Sequence, residues 1–168
     1  MATYKSPVLY DGSESIVEQF SKVERKRKCL IITDSAMNEA VGRFQSEINQ
    51  EVPYELFIMN GKADEAKAKE VLAQQKMGTQ LYIASTWENA KIIFPLAIEV
   101  GYSEEEIQLA VDGEKERHIY CMKCFTLSSI KDEKEVQCAQ CHAHLEVGPF
   151  FSKVRKGYIG YPFIPIEE

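Results

Sequence analysis

The chain lacks the features that would put it in a bilayer, a secretory route or on a nucleic acid. No apolar run approaches the ~20 residues that a membrane-spanning helix requires, and residues 1–10 do not show the basic-then-apolar order of a secretory signal. These absences point to a cytoplasmic protein with no membrane partner. Positive charge is also in deficit. Against 26 Asp and Glu stand 20 Lys and Arg, a formal charge of −6, which disfavours a bulk electrostatic claim on nucleic acid. The 9 glycines and 6 prolines are too few for a collagenous or low-complexity chain. Five cysteines, an odd number, fit a disulfide framework badly.

A chain of 168 residues that is 45% hydrophobic can bury a real core. Its charge is unevenly spread. Residues 1–115 hold 13 basic and 19 acidic side chains, while residues 116–168 hold 7 of each, so the whole net charge lies in the first part. That part alternates strand-like and helical runs. A first helix is expected over residues 15–23, where Ser15 and Glu18 have capping-box spacing. Residues 29–33 form a short unbroken apolar run, the mark of a strand buried on both faces. A helix capped by Asp34 or Ser35 then runs to about Ile48, with Ala40, Val41, Phe44 and Ile48 at helical spacing. Strands follow at 54–59, 80–84 and 107–111. Between them come a helix ending near Lys76 and another from a Ser85–Glu88 capping box to Val100, with Pro95 expected to kink or divide it. Repeated β-then-α units require a parallel sheet, so the expected fold class is α/β, a three-layer parallel sheet over residues 1–115.

From Arg117 the period changes. Short β-like pieces at 117–120, 125–128, 135–137 and 144–147 surround four cysteines, defining a small second domain over 116–163, with 164–168 as a tail. Cys121-x2-Cys124 and Cys138-x2-Cys141 are two knuckles separated by thirteen residues. Each x2 spacing lets a tight turn aim two sulfurs at one point, and the spacer accommodates a hairpin that joins the pairs. One structural Zn2+ in a small β zinc ribbon is the expected occupant, with iron as the alternative. Four thiolates leave no open coordination position, so such a site stabilises and does not hydrolyse. His118, His142 and His144 fit solvent-facing strand positions, and Cys29 a buried apolar one.

In a parallel sheet the binding crevice lies beyond the carboxyl ends of the strands. Here Thr33, Asp34 and Ser35, with Ser85, Thr86 and Trp87, would line it, Trp87 either covering the cleft or packing inward. Residues 81–86 together with 100–107 resemble the last βαβ unit of the ferredoxin reductase-like nicotinamide-binding module, whose strand ends in Cys-Gly-Pro. Ala84, Ser85 and Thr86 stand in those places, and the turn after Ile32 reads Thr33-Asp34-Ser35-Ala36, without glycine. A backbone lacking glycine cannot approach a pyrophosphate closely and Asp34 would repel it, so NAD(P) is disfavoured.

The C-terminal third, with Tyr120-Cys121-Met122-Lys123-Cys124, Cys138-Ala139-Gln140-Cys141, Phe151-Ser152-Lys153 and Gly157-Tyr158-Ile159-Gly160-Tyr161, resembles the ribbon of the DmmA-like family, named for a subunit of bacterial dimethylamine monooxygenase. Two departures stand out: Phe150, where members often carry His, and the absence of glycine after each knuckle. The resemblance implies an accessory, non-catalytic component of a multicomponent amine monooxygenase, with a haem catalytic subunit and a flavin/iron-sulfur reductase as partners. The residues agree, since no nucleophile–base pair and no phosphate cradle is visible. Aromatics near the end, Phe150, Phe151, Tyr158, Tyr161 and Phe163, either contact partners or complete the small core. The competing reading is a redox component that uses an iron-loaded four-cysteine site or a surviving nicotinamide-binding domain.

Overall fold

A computed structural model describes residues 8–35, 38–48 and 52–166. The first seven residues, Ala36 of the first crevice turn and the end of the tail lie outside the described residues. The chain divides into two compact units between Glu114 and Lys115.

The first unit contains, in order, β1 (Lys28–Thr33), α1 (Glu39–Ile48), β2 (Tyr54–Ile58), a 3-10 turn (Gly61–Asp64), α2 (Glu65–Ala73), β3 (Thr79–Thr86), α3 (Trp87–Glu99) and β4 (Ile107–Asp112). All strand pairs are parallel, in the order β2-β1-β3-β4. Period-two alternation sends the side chains of each central strand to two separate cores. Leu30 and Ile32, Leu81 and Ile83, and Ile107 and Leu109 join α2 and α3 side chains such as Leu72, Ile93 and Phe94. Cys29 and Ile31, with Tyr82 and Ala84, join Val41, Phe44 and Ile48 of α1. Phe20, Phe44 and Tyr82 form an aromatic cluster there, with ring centroids 4.2–5.6 Å apart. The parallel sheet expected from the β-then-α alternation is therefore present.

Three local expectations are corrected. Residues 15–23 form turns and one parallel bridge, Ile16 to Leu109, instead of a helix. Leu109 N donates to Ser15 O and Val17 N to Leu109 O, at 2.8 and 2.9 Å, and the Ser15 hydroxyl donates to Glu104 O. A nine-residue helix is marginal by itself, and the open edge of β4 offers stronger backbone partners. The cap of α1 is Asn38, whose Oδ1 accepts from Ala40 N at 2.9 Å and Val41 N at 3.3 Å; it is neither Asp34 nor Ser35. At α3 the N-cap residue is Thr86, with no side-chain capping bond, so the Ser85–Glu88 box does not form. Pro95 sits within α3, which continues unbroken to Glu99. The helix closes as a Schellman turn, Gly101 N to Ile98 O and Tyr102 N to Ala97 O, with Gly101 at φ +113°.

The second unit is a curled five-stranded sheet in the order β6-β5-β9-β8-β7, from β5 (Arg117–Cys121), β6 (Leu127–Ile130), β7 (Glu135–Gln137), β8 (His144–Ser152) and β9 (Gly157–Pro162). Four of these strands match runs anticipated from the sequence. The central one, β9, was visible there only as a Gly-Tyr-x-Gly pattern. It runs parallel to β5 and antiparallel to β8. A Cβ at Gly160 would lie 2.8 Å from Ile119 Cδ1, and one at Gly157 2.7 Å from Leu127 Cδ1 and 3.1 Å from His118 O. Glycine at both positions lets β9 lie flat between its neighbours. Among the described residues no helix is long and apolar enough to cross a membrane.

Candidate metal centre

Both knuckles have the same backbone construction. Phe125 N donates to Cys121 O at 2.8 Å, and Cys121 N to Thr126 O at 3.0 Å. In the second, His142 N donates to Cys138 O at 3.0 Å, and Cys138 N to Ala143 O at 2.8 Å. The residue after each second cysteine takes the left-handed conformation, φ +62° at Phe125 and +59° at His142. Glycine occupies such a position without strain, whereas these residues do so at a cost of about 1–2 kcal/mol. The hydrogen bonds on either side hold them there.

The knuckles converge. Cys121 Sγ lies 3.7 Å from Cys141 Sγ and Cys124 Sγ 3.6 Å from Cys138 Sγ, and all four sulfurs fall within 4.8 Å of one another. A tetrahedral ion with metal–sulfur bonds of ~2.3 Å needs sulfurs about 3.8 Å apart. A disulfide would hold them near ~2.05 Å. The donor set therefore fits a tetrahedral metal ion, and none of the three histidines joins it among the described residues. Cys121 and Cys138 are buried, Cys124 and Cys141 half-buried.

Two groups at the centre were not singled out from the sequence. Thr126 Oγ1 lies 3.3 Å from Cys124 Sγ, and this hydrogen bond is the largest influence drawing the Cys124 thiol down to about 6. Cys141 feels a lowering hydrogen bond from the Ala143 amide, but desolvation and the thiols of Cys124, Cys138 and Cys121 push it up to about 11. Cys124 and Cys141 are thus driven in opposite directions within one cluster. Gly160 O accepts from Met122 N at 3.1 Å, tying the first knuckle to β9. The only sequence signals were a threonine two residues beyond a cysteine and the glycine pattern of β9.

The C-terminal aromatics separate by environment. Tyr158 is buried, edge-on to Phe151 at 5.5 Å and beneath the Arg117 guanidinium at 4.7 Å. Phe150 and Tyr161 are exposed, by 79% and 51%.

At the carboxyl ends of β1 and β3, where strand order reverses, the crevice residues meet one another instead of an open cradle. Asp34 Oδ2 accepts from Thr86 N at 2.9 Å and from Asn89 Nδ2 at 3.4 Å, so a carboxylate of the chain itself occupies the N-terminus of α3. Asn89 Oδ1 accepts from Gly61 N at 2.9 Å. Thr33 is buried and its hydroxyl donates to Ser35 O, Ser85 is buried with its hydroxyl on Thr86 O, and Trp87 packs into the core with α2 and α3. Asn38 and Asn89 were not anticipated; an asparagine just before a helical run was the available signal for the first. A cleft of about 460 Å³ beside α1, which Ser35 of the predicted crevice also lines, carries Glu18, Glu39, Glu47 and Asp112 with Arg43, a charge balance that repels phosphate. Cys29 is buried in β1, and burial pushes its thiol up, away from nucleophilic use.

Fold and site together define a small β unit built around four converging thiols that can hold a metal ion, preceded by a parallel α/β unit. Residues 118–161, the span of that β unit, match the family described as dimethylamine monooxygenase subunit DmmA-like, C-terminal domain. The match is thus to a family of monooxygenase subunits. No curated protein and no solved structure matches the chain.

Proposed function

We propose that the protein is an accessory, non-catalytic subunit of a cytoplasmic multicomponent monooxygenase acting on a dimethylamine-type secondary amine. In this reading Cys121, Cys124, Cys138 and Cys141 bind one structural zinc that folds a ribbon domain. The preceding domain keeps a ferredoxin reductase-like framework without its dinucleotide, and a haem catalytic subunit and a flavin/iron-sulfur reductase are the partners. The observation that carries it is the coincidence, within residues 118–161, of the family match and four sulfurs at tetrahedral spacing. The plugged α3 N-terminus supports the loss of dinucleotide binding, because Asp34 stands where a phosphate would need free amides. A closed thiolate set offers no position for substrate.

The deciding experiment is metal analysis of the purified chain followed by co-purification from its native host. A colourless protein with stoichiometric zinc that captures oxygenase subunits supports the reading. A red protein with charge-transfer bands supports the redox alternative, and amine-dependent NADPH oxidation by the chain alone overturns the accessory role. Exposed Tyr161 is the better contact candidate and buried Tyr158 the structural one. Tyr161→Ala is expected to weaken partner capture by about 1–3 kcal/mol, and Tyr158→Ala to lower the melting temperature.

A further inference from the structure

The two edges of the parallel sheet are treated differently. On the β4 side, residues 15–17 bridge to Leu109 and cover the strand. On the β2 side, no strand among the described residues pairs with it beyond β1. β2 contains no lysine, no proline and no bulge; its one charge is Glu55, and Pro53 stands just before it. Instead Tyr54, Leu56 and Ile58, three apolar residues on one face, are 46%, 37% and 42% exposed.

The hydrogen-bond alternation of β2 follows from its pairing with β1. Cys29 N donates to Pro53 O at 3.0 Å and Met59 N to Thr33 O at 2.8 Å, in the register Cys29 to Tyr54 and Thr33 to Ile58. In a parallel ladder this turns the amides of Glu55, Phe57 and Met59 toward β1. The amides and carbonyls of Tyr54, Leu56 and Ile58 therefore point outward. The residues whose backbone groups point outward are the same three that are partly exposed.

We propose that two copies of the protein associate through antiparallel pairing of their β2 strands about a two-fold axis at Leu56, joining the two four-stranded sheets into one of eight strands. About that axis Leu56 faces Leu56 of the second copy, and Tyr54 faces Ile58. These are hydrogen-bonded pairs, so every outward amide and carbonyl of the three residues is satisfied. All the apolar side chains of the stripe meet on one face. Glu55 falls opposite Phe57, never opposite its own copy, and its carboxylate is already held by Lys28 Nζ at 2.7 Å and Gln75 Nε2 at 3.2 Å. The Glu55 carboxylates of the two copies stand diagonally across the axis, each paired with its own Lys28, and the strand is complementary to itself in backbone and shape. The contact is isologous, and with the β4 edge covered it closes at two copies without forming a filament. A five-residue pairing buries little area, so the dimer dissociates in the range of about 1–100 μM. The proposal is independent of the metal and of the oxygenase reading.

Sedimentation velocity of the full chain over a concentration series tests it, together with residue-resolved hydrogen exchange. The expected result is a monomer–dimer equilibrium in which the amides of Tyr54, Leu56 and Ile58 gain protection as concentration rises, while those of Glu55 and Phe57 are protected throughout. Leu56→Lys sets two ammonium groups against each other at the axis and is expected to weaken the dimer about a hundredfold, with unchanged circular dichroism and metal content. Ile58→Lys, at the end of the stripe, serves as the second variant and should also weaken it. A wild-type chain still monomeric at about 1 mM, or a dimer that both variants leave intact, overturns the proposal.

Discussion

Leu30, Ile31 and Ile32 in the first unit are completely buried, and apolar side chains from three helices close over both faces of their sheet. The second unit closes over Ile119 and Leu145, and the other buried members of its core are Cys121 and Cys138 themselves. Each unit draws its stability from a different source. A two-sided parallel sheet buries enough apolar surface to fold by itself. A sheet of about fifty residues buries less, and one whose buried core is half thiol would gain stability from a metal held by those thiols.

Metal withdrawal should produce the largest difference between the two units. A strong chelator, or acid, is expected to unfold the second unit while the first stays native. The sign is set by the ligands: metal binding displaces protons from thiols, so affinity falls as pH falls. Hydrogen exchange is the measurement. The amides of β5 and β9 should lose protection on chelation while those of β3 keep it, and equal loss in both would show that the units do not differ as described. In the metal-free protein Cys124, drawn down to about 6, should alkylate first at neutral pH.

Alkali should act on the other unit. Burial, followed by the Glu106 and Glu55 charges, pushes Tyr102 up to about 12, and burial pushes Tyr82 higher still. A folded-state value above the ordinary one near 10 means that the associated stability is complete below that pH and is lost as pH rises through the folded value. Melting of the first unit should therefore decline above about pH 10, accompanied by a late rise in tyrosinate absorbance. Tyr102→Phe should flatten that decline.

The smallest expected effect lies within the first unit. Asp34→Ala removes the acceptor for Thr86 N and should cost about 1 kcal/mol, with faster exchange at the start of α3 and no change in metal content. An unaltered melt would mean that water replaces the carboxylate at no cost.

Much of this architecture could be read in advance. The unbroken run Cys-Leu-Ile-Ile-Thr marked β1 as buried on both sides, and the spacing of Val41, Phe44 and Ile48 marked the buried face of α1. The two Cys-x2-Cys turns announced a convergent thiol site because a knuckle closes within five residues, and its geometry needs no distant partner. Ser15 and Glu18 misled because a capping box records only local preference, whereas Leu109 supplied a backbone ladder ninety-odd residues away. β9 escaped notice for the converse reason. Its glycines weaken any local strand signal, and their purpose appears only when Ile119, Leu127 and Leu145 press against them.

Local pattern alone gives β1 and α1, the change of architecture near residue 115, and the four cysteines that converge. Those are short-range properties, set by side chains a few positions apart. Strand order, the capture of residues 15–17 by one sheet edge, the place of β2 at the other and the docking of Asp34 onto α3 come from the assembled fold. Each of these is a choice among backbone partners remote in sequence, and a hydrogen bond to a remote partner is selected by what the assembled core brings within reach.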